Sequence, residues 1–241
     1  MSIAQTIQNH IKTIPPGQVF GYGDLPDYGL APLAVAQAMS RMVSAGRLER
    51  LSKGKFYVPQ KGILGPRKPS DSALIRSVLY KDGSLRGYVT GPALFNKLGL
   101  TTQVPKTVTL ALEGWRQKKD FGTIRVKIVS SRFPVHEGDV KLIQYLDVLR
   151  DIKSVPDTDV NQTLKVMKNK IAELEQTQRE RSVWLAVKYD TPRVRALLGL
   201  LLTSTGMLCI PSLKDTLNPT TVFKLSLDKD LWPMAKDWNI R

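Results

Sequence analysis

Residues 17–59, GQVFGYGDLPDYGLAPLAVAQAMSRMVSAGRLERLSKGKFYVP, constrain the fold of this chain more than any other stretch. Val19 and Phe20 form a short apolar run, a helical turn begins near Tyr22, and residues 26–29 turn the chain. A helix over 32–45 follows, with Pro32 in its first turn and Gly46 where a left-handed cap would end it. Two β-runs, 47–51 and 56–59, are joined by the turn residues Ser52, Lys53, Gly54 and Lys55. Before them, Ser2 caps a helix in which Ile3, Ile7 and Ile11 recur every four residues until Pro15 and Pro16 stop it. Helices, turn and basic hairpin in this order describe a winged helix-turn-helix, with the two apolar stripes packed together.

The helix over 32–45 has two faces. Val35, Met39 and Met42 make an apolar stripe, widened by Ala36, Ala38 and Val43. Gln37, Ser40, Arg41 and Ser44 oppose it, and such side chains hydrogen-bond base edges in a major groove. Arg47, Arg50, Lys53 and Lys55 follow, where a wing would meet phosphates. The alternative is an amphipathic helix with a solvated basic face that serves protein contacts, since fold does not fix function.

The charge balance fits a polyanionic partner: 36 Lys and Arg against 21 Asp and Glu give a formal +15 over 241 residues. Residues 61–156 hold 17 basic and 8 acidic side chains, so the middle of the chain is also a candidate nucleic-acid surface. The single cysteine, Cys209, excludes an internal disulfide and, between Leu208 and Ile210, reads as a buried thiol. One cysteine and two separated histidines leave no zinc site, and no metal or cofactor is expected. No signal peptide is evident, and the longest apolar stretch, 196–202, is far short of the ~20 residues that cross a bilayer. A cytoplasmic protein without a membrane partner is expected.

Residues 60–69, QKGILGPRKP, read as a linker, so the domains expected are 1–60, a linker over 61–69 and a larger mixed α+β domain over 70–241. Ser70 caps a helix to about residue 80, 85–90 has strand character, and 92–98 reads as a short helix. Val108, Leu110 and Leu112 alternate in a strand. Residues 115–121 read as a polar loop carrying Arg116, Lys118 and Lys119. In 123–129, Ile124, Val126 and Ile128 alternate with Arg125 and Lys127, a half-buried antiparallel strand whose basic face could contact nucleic acid. Asp139 caps a helix to Leu149, and Asp157 or Asp159 begins another. Leu164, Met167, Ile171 and Leu174 on that second helix face the core, with a dimer seam as the alternative. Residues 183–188 and 221–227 read as strands, and the apolar helix after Thr191 and Pro192 as the buried centre of the domain.

The sequence holds no phosphate-binding loop, dinucleotide fingerprint or activated nucleophile, so no enzyme is expected and no catalytic residue is assigned. His136, Glu137 and Asp139 read as a turn before a helix cap. Four segments, SRMVSAGRLERLSKGKFYVP, RGYVTGPALFNKLGLTTQVPKTV, VKYDTPRVRALLGLLL and LNPTTVFKLSL, occur in an order that resembles the AbiEi antitoxins. The resemblance runs from about Ser2 to Leu227 and implies a bacterial type IV antitoxin. It implies an N-terminal winged helix that represses its operon by binding inverted repeats in double-stranded promoter DNA. It further implies a C-terminal domain that counters a nucleotidyltransferase-like AbiEii toxin without a tight complex. Mapped here, DNA binding falls on Gln37, Ser40, Arg41, Ser44, Lys53 and Lys55, and a basic C-terminal surface on Arg116, Lys118, Lys119, Arg125 and Lys127. Two other readings stand beside it: a winged-helix regulator with a ligand-sensing or dimerisation domain, and a nucleic-acid-processing enzyme docked by its winged helix.

Overall fold

The computed structural model describes residues 2–62, 65–114, 116–206 and 211–241. It is a mixed α+β protein of two compact units, one comprising Met1–Arg86 and Phe121–Ile124, the other Gly87–Asp120 and Arg125–Arg241.

The first unit begins with α1 (Ile3–Thr13), capped by Ser2, whose hydroxyl accepts from the Gln5 N–H at 3.3 Å. Strand β1 (Val19–Gly21) leads through a 3-10 turn (Tyr22–Asp24) to α2 (Pro32–Ser44). Strands β2 (Glu49–Ser52) and β3 (Lys55–Tyr57) then join β1 in an antiparallel sheet ordered β1-β3-β2. Ile7 and Ile11 of α1 pack with Val35, Ala38, Met39 and Met42 of α2 and with Phe20, Leu25, Leu48 and Phe56 in one core. The two predicted stripes therefore meet.

The stretch 60–69, read as a linker, holds two strands on either side of residues 63 and 64, which lie outside the described residues. Strands β4 (Gln60–Gly62) and β5 (Gly65–Arg67) pair antiparallel, with Pro66 opposite Lys61. Helix α3 (Asp71–Leu79), capped by Ser70, buries Leu74 and Val78 and packs beside β1, and the small hairpin of β6 (Tyr80–Lys81) and β7 (Ser84–Leu85) follows it. The first unit thus runs on to Arg86.

In the second unit, β8 (Gly87–Thr90), helix α4 (Pro92–Lys97), β9 (Thr107–Leu112), β10 (Gln117–Asp120) and β11 (Arg125–Ser130) build a sheet ordered β10-β11-β9-β8. This sheet departs from the sequence expectation at two strands. The region read as a polar loop contains β10, an edge strand whose amides bond β11, while Trp115 lies outside the described residues. Strand β11 is antiparallel to β10 and parallel to β9, so it is not wholly antiparallel.

Helices α5 (Val140–Arg150), α6 (Val160–Ala172), α7 (Gln176–Tyr189), α8 (Pro192–Ser204) and the short α9 (Pro211–Lys214) complete the unit, with a 3-10 segment at Pro233–Trp238. Residues 183–188 belong to α7 rather than a strand, because a helix that opens with the Glu175 N–H donating to Gln178 Oε1 at 3.2 Å runs through them and buries Val183, Leu185 and Ala186 on one side. Residues 221–227 form no strand either. Phe223 makes a single bridge to Ile240, and the apolar alternation reflects packing of an extended segment. Leu164, Met167, Ile171 and Leu174 are buried within the unit, as the core-facing reading of α6 requires. Asp159 caps that helix, accepting from the Gln162 N–H at 2.8 Å. Cys209 lies outside the described residues. Among the described residues no helix is long and apolar enough to cross a membrane.

Helix α8 is buried almost all round, and Gly199 on it explains a tight contact. A methyl group there would come within 2.2–2.4 Å of the ring carbons of Trp238, whose indole N–H donates to Thr203 Oγ1 at 3.1 Å. Gly199→Ala is therefore expected to destabilise the second unit by about 1–3 kcal/mol, as overpacking does, although alanine is the better helix former. A thermal melt equal to or above the parent's would contradict this packing.

Candidate nucleic-acid interface

Helix α2 carries the predicted surface. Val35, Ala38, Met39 and Met42 turn one side into the core, which leaves Gln37, Ser40, Arg41 and Ser44 on the other. The helix ends as its sequence requires, with Gly46 at φ +67° and two closing bonds, Gly46 N–H to Val43 O and Arg47 N–H to Met42 O, both 3.0 Å. That closure sets exposed Arg47 directly beyond the helix end. A residue missed by the sequence reading shares this face: Leu33, four residues before Gln37, is exposed. Its helical spacing was the available signal, obscured because a leucine beside apolar neighbours reads by default as core.

The β2–β3 hairpin supplies the other cations, though not uniformly. Arg50 is exposed, its guanidinium 5.4 Å from the centre of the buried Phe56 ring, which fixes where the charge stands. Lys53 is exposed at the turn before Gly54, whose φ of +74° favours glycine. Lys55 differs. It is half-buried, with its ammonium folded over Gly21, and it lines a cleft of about 550 Å³ with Tyr22, Tyr28 and Asp24. It is thus no free tip cation. Glu49 lies opposite Tyr57 and accepts a hydrogen bond from its hydroxyl, so the acid in this hairpin is turned to a structural task. Burial and Glu49 push Tyr57 up to about 12.

In the second unit the basic residues split. Lys118 stands opposite Lys127 across β10 and β11, and Asp120 opposite Arg125, so these four share a sheet face. Arg125 pairs with Asp120 at 3.4 Å, with both side chains mostly in water, a contact worth little. Lys119 lies opposite buried Val126 and therefore belongs to the other face. Exposed Arg116 precedes β10. The five residues do not form one surface.

Asp139 is another correction. It does not cap α5 through its side chain; Arg181 Nε and Nη2 donate to its two oxygens at 2.9 and 2.7 Å. Those bonds hold the Asp139 carboxyl below the usual carboxylate range. Deeper in the unit, Arg150 of α5 bridges Asp147 and Asp190, with its Nη2 2.6 Å from Asp190 Oδ2. Thr90 Oγ1 donates to Asp147 at 2.6 Å, and burial pushes the Asp147 carboxyl up while Arg150 and Thr90 pull it back. Every charge here has a protein partner, which makes the group a structural pin. Among the described residues no three His, Cys, Asp or Glu side chains are grouped to hold a metal.

A family model described as "Family of unknown function (DUF6088)" matches residues 6–183. No curated protein matches the chain. Among solved structures, that titled "Crystal structure of RV2827C protein from Mycobacterium tuberculosis" is similar over 93% of this chain and 85% of its own, with a TM-score of 0.52 and 15% identity. Identity that low conveys a shared fold alone.

Proposed function

Because the chain belongs to a family of unknown function, DUF6088, its activity has to be read from its own side chains, and we propose that it is a DNA-binding repressor. The first unit is read as a winged helix-turn-helix, with α2 as recognition helix and the β2–β3 hairpin as wing. The observation that carries the proposal is the outer face of α2, where Gln37, Ser40, Arg41 and Ser44 stand opposite a fully packed stripe. A helix of 13 residues is about 20 Å long and fits a major groove about 12 Å wide. Gln and Arg can bond base edges in two-point fashion, and Arg47, Arg50 and Lys53 lie where phosphates would flank them.

Four exposed cations, Arg41, Arg47, Arg50 and Lys53, serve this surface. Binding of the full-length chain to duplex DNA should then weaken with salt, log K falling against log salt with a slope of roughly −4 per protomer. Fluorescence anisotropy across a salt series measures it. A flat response would remove the phosphate contacts from the proposal.

The resemblance to AbiEi antitoxins adds a second role, in which the second unit counters a nucleotidyltransferase-like AbiEii toxin without a tight complex. Lys118, Arg125 and Lys127 give the β10–β11 face three cations against the one carboxylate of Asp120, an excess of positive charge that supports a polyanion-contacting surface there. The two roles should separate in a paired assay. Arg41→Ala is expected to derepress a promoter reporter and yet leave growth rescue from the co-expressed toxin intact. Loss of rescue at normal protein levels would tie protection to the DNA-binding face and sink the two-role reading.

A further inference from the structure

Leu33, in the first turn of α2, and Leu30, two residues before the helix begins, stand almost wholly in water, 80% and 88% exposed. Leu30 is held in an ordered turn. Its N–H and that of Ala31 both donate to Asp27 O, at 3.1 and 2.9 Å, and nearby Tyr28 stacks on Tyr22 with ring centres 5.2 Å apart. Leu33 precedes Gln37 by four residues, Ser40 by seven and Arg41 by eight. On a helix of 3.6 residues per turn these side chains fall within a stripe about 100° wide, opposite Val35, Met39 and Met42. One continuous stripe is therefore apolar at its N-terminal end and hydrogen-bonding beyond it.

A major groove matches such a stripe in a particular way. Base edges offer donors and acceptors to Gln37 and Arg41, and their apolar feature is the C5 methyl of thymine. Resting on the DNA-binding reading above, we propose that Leu33 reads a thymine methyl group, so that each half-site carries a T·A pair where the N-terminal end of α2 enters the groove. A cytosine there would press its amino group against leucine and lose its water without gaining an acceptor. Uracil differs from thymine by the methyl alone and isolates the contact.

The test uses the full-length chain and a duplex it selects from a randomised library, with thymines replaced one at a time by deoxyuridine. At one or two positions per half-site the parent protein should bind the deoxyuridine duplex about 3–5-fold more weakly, the scale of one buried methyl group. Leu33→Ala should weaken binding to the thymine duplex by a similar factor and no longer distinguish thymine from deoxyuridine. Leu33→Met, which keeps an apolar reach, should still distinguish them. Equal parent affinity for thymine and deoxyuridine at every position would overturn the inference and leave DNA binding standing. So would a shift of the free protein from dimer to monomer on Leu33→Ala in sedimentation, which would assign the leucines to a second copy of the chain. If no duplex is enriched at all, the DNA-binding reading fails and this inference with it.

Discussion

Replacing Arg150 with methionine is expected to cost the second unit about 3–5 kcal/mol, the cost of leaving buried charge without its partner. Arg150 bonds both Asp147 and Asp190, and the side chains of those carboxylates are 5% and 0% exposed. Methionine fills part of the volume and returns none of the charge, so the carboxylates must take up protons or draw in water. A Tm lower by roughly 10 °C should result for a chain of this size. The cause is separable from lost packing. Adding Asp147→Asn and Asp190→Asn to Arg150→Met removes both charges. The two new amide side chains can still accept from the Thr90 hydroxyl and the Thr191 N–H, which bond the parent carboxylates at 2.6 and 2.8 Å. The triple variant should recover much of the loss. A single variant within about 1 kcal/mol of the parent, or a triple variant no better than the single, would show that this bridge does not pin the unit.

The second large effect concerns recognition. Changing Gln37 and Arg41 together to alanine should lower the preference for a selected duplex over random DNA by about 10²–10⁴, since each good two-point base contact is worth roughly 1–3 kcal/mol. Lys53→Ala should instead weaken all sequences about equally and reduce the salt slope by about one. Competition binding with selected and random duplexes distinguishes these patterns. If Lys53→Ala altered sequence preference and the helix changes did not, the roles given to helix and wing would be reversed.

Much of the first unit was legible in sequence because local signals agreed with tertiary packing. Ser2 and Ser70 cap the helices they precede, Gly46 adopts the left-handed conformation its position suggested, and the stripes of α1 and α2 meet. The misreadings have physical causes. Residues 183–188 contain Val183, Leu185 and Val187 in alternation, which mimics a strand, yet the helix-forming context that begins at Glu175 decides their state. Strand β10 has no apolar alternation because it is an edge, and its identity comes from backbone pairing with β11. The Arg150–Asp190 pair spans 40 residues, a distance no periodicity can bridge. At the candidate interface, the polar members of the α2 face were visible as a wheel, Leu33 shared that wheel but read as core, and the inward fold of Lys55 needed coordinates.

Dimethyl sulfate probing of the full-length chain on its selected duplex tests the central claim most directly, because the reagent methylates guanine N7 in the major groove and adenine N3 in the minor groove. With α2 in the major groove, guanine N7 atoms within each half-site should be protected, and Arg41→Ala should restore reactivity at the guanine it contacts while the rest stay covered. Unprotected N7 atoms with protection confined to adenine N3 would contradict the account, for the outer face of α2 would then not be what meets the bases.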